Sequence, residues 1–159
     1  VVLTSVLTTG DASRLRRRLV QADRITTDIS SYVGLMQDAF DVRNPTPLVV
    51  EAHHPGDVPT DRVVAAVDEE LDRLASDGLA PGELERVLAR LGSYVVQSQD
   101  HVLGRTLSMA VFEQQRGDAG LVGELPARLA EVGEDDVRTA AVALRPEARD
   151  RLDLVAGAR

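Results

Sequence analysis

The chain has no cysteine and no lysine: all 18 of its Lys-plus-Arg positions are arginine. Without cysteine there is no disulfide, no thiolate nucleophile and no Cys-ligated zinc. Without lysine there is no P-loop lysine, no Schiff base and no Ser-Lys dyad. Aromatics are scarce too, with two Tyr, two Phe and no Trp. Acidic residues number 26, which leaves a net charge of −8 at pH 7. Such a surface is poorly equipped to neutralise phosphates or stack on bases, so no nucleic-acid partner is expected. No run approaches the roughly 20 unbroken apolar residues of a membrane span, so no membrane partner is expected either. Repeats, low-complexity tracts and long linkers are also missing.

What is present is an ordinary globular composition. Hydrophobic residues at 43% and charged residues at 28% argue against wholesale disorder. A length of 159 residues suits one domain, able to bury roughly 70% of its unfolded surface. Arginine as sole base, with abundant Ala, Val and Leu, points to a GC-rich bacterial genome. A cysteine-free chain fits the cytoplasm, without requiring it. The chain opens on Val1, already inside an apolar run that reaches Leu7. Residues 1–159 therefore read as a single domain, truncated at its N-terminus and without a linker.

Local patterns give the expected elements. Gly10 is placed to end a first helix, and Asp11 or Ser13 to cap a second from Arg14 to Gln21, with Leu15 and Leu19 on one face. From Ile25 the period becomes two: Ile25, Thr27, Ile29, Ser31 and Val33 share one face of a strand. Phe40 and Val42 are candidates for a short return strand, and Leu48–His53 forms another, stopped by Pro55-Gly56. Thr60 starts a helix with Val63, Val64, Val67, Leu71 and Leu74 inward, ending at Asp77-Gly78. Pro81 begins the next, with Leu84, Val87, Leu88, Leu91 and Val95 buried. A helix over Val102–Arg116 is expected to bury Leu103, Leu107, Ala110 and Val111. Two shorter helices follow, one with Leu125, Leu129 and Val132, one with Val137, Ala140, Ala141 and Leu144, ended by Pro146. Arg151–Val155 alternates like a last strand. Strands early and helices late argue for an α+β fold, an antiparallel sheet with helices packed on one face.

Chemistry-bearing residues are few. His53 and His54 are adjacent on a strand and point to opposite faces, while His101 lies far along the chain. Neither H-x-x-E-H nor its reverse occurs, and a catalytic zinc normally takes three protein ligands, so no metal site is assigned. No G-x-S-x-G surrounds any serine, and no catalytic residue is assigned. The acidic pairs Glu69/Glu70 and Asp135/Asp136 read as solvated helix faces or as charges near helix N-termini. Glu83 and Glu85 are spaced for surface ion pairs with Arg86 and Arg90. The one basic cluster is Arg14, Arg16, Arg17 and Arg18. It can be the polar face of a short helix, or it can recognise carboxylates and acidic peptide segments by bidentate hydrogen bonding. Gly10, just ahead of it, suits a loop that meets a ligand's backbone or negative charge.

The stretch from Leu7 to Leu15 (L-T-T-G-D-A-S-R-L) resembles the L-G-G-G-x-S-S-R-L that opens the second half-domain of insulinase/pitrilysin-type zinc peptidases. The order continues to match: Leu19-Val20, the strand from Ile25, Pro55-Gly56, the Val63–Leu74 helix, Pro81-Gly82-Glu83-Leu84-Glu85, and Val132-Gly133-Glu134-Asp135-Asp136-Val137. The resemblance spans Leu3 to about Val155. It implies a zinc peptidase of paired α+β domains enclosing a chamber. The inverted H-x-x-E-H would lie in the other half, so this chain would carry no cofactor and zinc would sit in its partner. That partner is the catalytic half-domain of the same or a companion chain, and the substrate is a peptide. This chain would be the non-catalytic half, inactive alone, with Gly10, Asp11, Ser13, Arg14 and Arg17 as substrate-binding residues. The alternative is a scaffold homologue without proteolysis. Two departures stand out. The family's Arg and Tyr that support the scissile carbonyl align with Val20 and Thr27, and the loop has one glycine where the family often has three.

Overall fold

In the computed structural model, which describes residues 1–34, 43–144 and 146–155, the alternating segment becomes strand β1 (Asp28–Val33). It pairs antiparallel with β2 (Leu48–His53), from Asp28↔His53 to Val33↔Leu48. Alternation then fixes the two faces. Ile29, Ser31 and Val33 share a face with Ala52, Val50 and Leu48, and helix α1 (Val2–Thr8) packs there. Ser31 Oγ lies 2.8 Å from Thr8 Oγ1 and donates to the Thr4 carbonyl at 3.2 Å. The other face carries Ser30, Tyr32, Val49 and Glu51. The expected α+β arrangement, with helices against one face of an antiparallel sheet, is what the described residues form.

β1 starts three residues later than the alternation predicts. The Ile25 and Thr26 amides both donate to the Leu19 carbonyl, at 2.9 and 3.2 Å, so this backbone belongs to the preceding turn. Ile25 and Thr26 are both buried, which strand alternation would not allow. That turn ends a π-helix over Arg16–Ala22, where the expected second helix stands. Its wider turn appears in the Asp23 amide bonding to the Arg18 carbonyl at 2.8 Å. Leu15 and Leu19 are fully buried on its inner side, as their spacing predicts. The proposed return strand at Phe40 and Val42 lies outside the described residues.

Helices α2 (Thr60–Asp77), α3 (Glu83–Asp100), α4 (Val102–Arg116), α5 (Leu121–Ala130) and α6 (Glu134–Ala143) complete the described fold, with a 3-10 turn at Pro146–Ala148. Val63, Val67, Leu71 and Leu74 of α2 are buried as expected. They join α1, the π-helix, Ile29, Val87 of α3, and Val137 and Ala141 of α6 in the main core. A second, smaller cluster gathers Phe112 of α4 with Val122 and Leu125 of α5.

Three further expectations fail. Leu103 and Leu107 of α4 are 71% and 57% exposed, and Ala110 is exposed too. Of the expected stripe Val111 alone turns inward, and beside it the helix presents Gly104, Ser108, Phe112 and Gln115 to its neighbours, a stripe whose small and polar members a count of apolar side chains passes over. At Gly104 a Cβ would sit 2.6 Å from the Ser98 carbonyl oxygen of α3, so the close helix approach requires glycine there. Glu70 is not on a solvated face; it is buried, because arginines meet it. Arg151–Val155 is not a strand: Leu152 and Leu154 are 82% and 88% exposed, and Arg151 is drawn instead to Asp61 and Asp153 at 2.5 and 2.6 Å.

Candidate functional site

The turn between α1 and the π-helix holds three of the five residues singled out in sequence. Gly10 adopts a φ of +83°, a backbone region that suits glycine. Its carbonyl accepts from both the Ser13 amide at 3.0 Å and the Ser13 hydroxyl at 2.6 Å. Ser13 is consequently buried with its hydroxyl satisfied. Asp11 is exposed; its carbonyl accepts from Gln21 and its carboxylate lies 3.4 Å from Arg16. Arg90 of α3 donates to the Thr9 carbonyl and closes over Gly10, which fastens the turn to the helical layer.

Arg14 leaves this turn for the α2–α3 connection. Its Nε and Nη2 grip the Glu83 carboxylate at 3.0 and 2.7 Å, and Nη2 also donates to the Gly78 carbonyl at 2.8 Å. The bond to Glu83 raises the Arg14 pKa. Burial alone would raise the Glu83 carboxyl, but hydrogen bonds from Arg14 and from the Ala80 amide at 2.9 Å hold it below the usual range. The expected Glu83–Arg86 surface pair is therefore replaced by a bond to a residue far earlier in the chain. Arg90 likewise spends itself on Thr9 rather than on an acidic neighbour.

Arg14 and Arg17 line a cavity of about 560 Å³ between the π-helix, α2 and the start of α3. Arg18, Arg73 and Arg86 complete its cationic lining, with Asp23, Glu70 and Glu83 as the only carboxylates among the lining residues. Arg18 is the hub: it binds Glu69, reaches Glu70 at 3.2 Å and lies 3.5 Å from Asp23. The Glu69 bond raises the Arg18 pKa and lowers that of Glu69. Arg73 meets the same Glu70 oxygen at 2.5 Å. Arg17 is exposed on this cavity, whereas Gly10, Asp11 and Ser13 do not line it. Sequence reasoning missed Glu70, Arg73 and Arg86 as its members. The available signal was Glu70 itself, an acid on the apolar stripe of α2, which has to find a buried cation.

His53 is exposed at the end of β2; its carbonyl accepts from the Thr27 amide at 2.7 Å and the Thr27 hydroxyl at 3.1 Å. The position aligned with the family's tyrosine is thus occupied by a hydroxyl held in place beside the sheet. Val20, aligned with the arginine, is half-buried against the core. His54 bonds locally to the Pro55 carbonyl at 3.0 Å and meets the Thr60 hydroxyl at 3.3 Å. Among the described residues no three His, Asp or Glu side chains gather as metal ligands, and no described helix is long and apolar enough to cross a membrane.

No family model and no curated protein matches the chain by sequence. Solved structures do match. The inactive peptidase domain of a protein classed as a zinc protease, from Bordetella parapertussis, superposes with a TM-score of 0.79 at 19% identity, over 99% of this chain and 82% of that one. A second protein so classed, from Bordetella pertussis Tohama I, gives 0.73 at 21% identity over 89% of this chain and 74% of that one. The periplasmic protease PqqL from Escherichia coli gives 0.61 at 15% identity, this chain covering 15% of its length. At such identities the likeness is one of fold, and the fold is that of the peptidase domains of zinc proteases, as the resemblance to the insulinase/pitrilysin type implied.

Proposed function

We propose that residues 1–159 form the non-catalytic, substrate-chamber half of a bacterial zinc-dependent metalloendopeptidase, paired with a half that carries the inverted H-x-x-E-H. The observation that carries this reading is the near-complete superposition on a domain described as an inactive peptidase domain. The sequence supports it, because the chain holds three histidines and no zinc-peptidase motif, so the chemistry has to come from elsewhere. In this role the chain supplies a wall and binding contacts rather than the nucleophile. Gly10, Asp11, Ser13, Arg14 and Arg17 remain its proposed substrate-side residues. Arg14, committed to Glu83 and Gly78, contributes by positioning the segment that carries Arg17. The cytoplasm remains the proposed compartment, although one protein of this fold is periplasmic.

A second reading, a scaffold homologue without proteolysis, is favoured by Val20 and Thr27. Neither can donate a charged or phenolic hydrogen bond to a scissile carbonyl, and the Thr27 hydroxyl is already engaged with His53. Peptide cleavage with metal analysis separates the two, comparing this chain with the full-length product of its gene. Zinc and cleavage confined to the longer protein are expected. Cleavage by this chain alone, abolished by a chelator and by His53→Ala, would overturn the proposal. Inactivity of both would favour the scaffold.

A further inference from the structure

The arginine-lined cavity is overcommitted on one side and open on the other. Each of its three carboxylates is already engaged: Glu83 by Arg14, Glu70 by Arg18 and Arg73, Asp23 by Arg18. Arg17 and Arg86 line the same cavity, are both exposed, and make no ion pair or side-chain hydrogen bond among the described residues. Arg86 acts on Glu83 only at longer range. Five arginines against three carboxylates give this concavity the opposite sign to a chain of net charge −8. The local sign prevails for a bound ligand, because at physiological salt charges beyond about 8 Å are largely screened.

We propose that Arg17 and Arg86 bind a carboxylate of an acidic peptide in this cavity. A guanidinium offers a planar fork that matches a carboxylate in two parallel hydrogen bonds, and two of them can hold both its oxygens. Arg14, Arg18 and Arg73 already hold the lining carboxylates, so the two remaining forks need not displace internal partners. A volume of about 560 Å³ lies within the usual range for a ligand site and takes one or two side chains rather than a folded partner. Arg18 and Ala22, which flank the site, lie on the π-helix, a backbone form concentrated at functional sites. The inference rests on the chamber-wall reading for the source of the peptide; binding itself belongs to this chain.

Fluorescence anisotropy on this chain tests it, with a short labelled Glu/Ala peptide and its Gln/Ala counterpart. The acidic peptide is expected to bind, weakening as salt rises, and its neutral counterpart is expected not to bind. Arg17→Gln with Arg86→Gln should weaken binding by about tenfold or more. Arg62→Gln removes one such charge from an exposed arginine outside the cavity and should leave affinity within about twofold. Thermal melts of both variants should match the parent, since the substituted side chains are exposed and unpaired. Equal affinity for the two peptides, or an equal loss in Arg62→Gln, would overturn the proposal. Inorganic phosphate displacing the peptide more effectively than free glutamate would overturn it as well, in favour of a phosphate site. Because binding is read without cleavage, its failure leaves the chamber-wall proposal intact, and an inactive full-length protein leaves this site intact.

Discussion

Arg14 and Glu83 are 16% and 7% exposed at their side chains, and a buried pair of this kind is costly to break from one side. Arg14→Ala is expected to destabilise the fold by about 3 kcal/mol, measured by urea unfolding. The pair also sets a pH dependence. The Glu83 carboxyl is held below its unfolded value of 4.5, so its contribution is complete above that value and is lost as pH falls through the lower folded one. Glu83→Gln should therefore flatten the stability profile in the acid range, and the gap between parent and variant should narrow there. A steep acid limb retained in Glu83→Gln would assign it to other carboxylates. Thr26 gives the opposite sign: it is 5% exposed, and its hydroxyl finds no hydrogen-bond partner among the described residues. Thr26→Val is expected to raise the unfolding free energy by about 1 kcal/mol, since the methyl fills the same space without an unpaired polar atom.

At the scale of elements, α4 separates what an apolar count can read from what it cannot. Its packing is set by Phe112 and by the glycine at 104, not by the leucines that dominate its sequence. Phe112→Ala should cost about 3 kcal/mol, whereas Leu103→Ser with Leu107→Ser should change stability by less than about 1 kcal/mol. Gly104→Ala, which places a methyl against the Ser98 carbonyl, should force α3 and α4 apart; a lower melting temperature with increased exchange of α4 amides would report it. Elements with a long buried stripe, such as α2, were legible because a helical period over Val63, Val67, Leu71 and Leu74 has no competing explanation. The β1–β2 face was legible for the same reason with period two. The π-helix was not, because its extra residue per turn leaves Leu15 and Leu19 as well placed as an α-helix would.

At the scale of the molecule, the sequence disclosed the fold by the order of its motifs and disclosed little of the candidate site. The cavity depends on Arg14 meeting Glu83 and Arg18 meeting Glu70 across wide gaps in the chain, and no local spacing records such meetings. Glu83 pointed toward Arg86 on helical spacing alone; burial at the α2–α3 connection awarded it to Arg14 instead. The same award has a consequence for durability. The short stretch from Gly78 to Gly82 contains two glycines at positive φ, of 77° and 75°, and its later half, Ala80 to Gly82, is exposed, as connections nicked by proteases are. Arg14 holds its first carbonyl, and Glu83 holds the Ala80 amide inside it. For a chain proposed to wall a chamber in which peptides are cut, these bonds are expected to slow nicking of the connection, and faster limited proteolysis of Arg14→Ala than of the parent would report it.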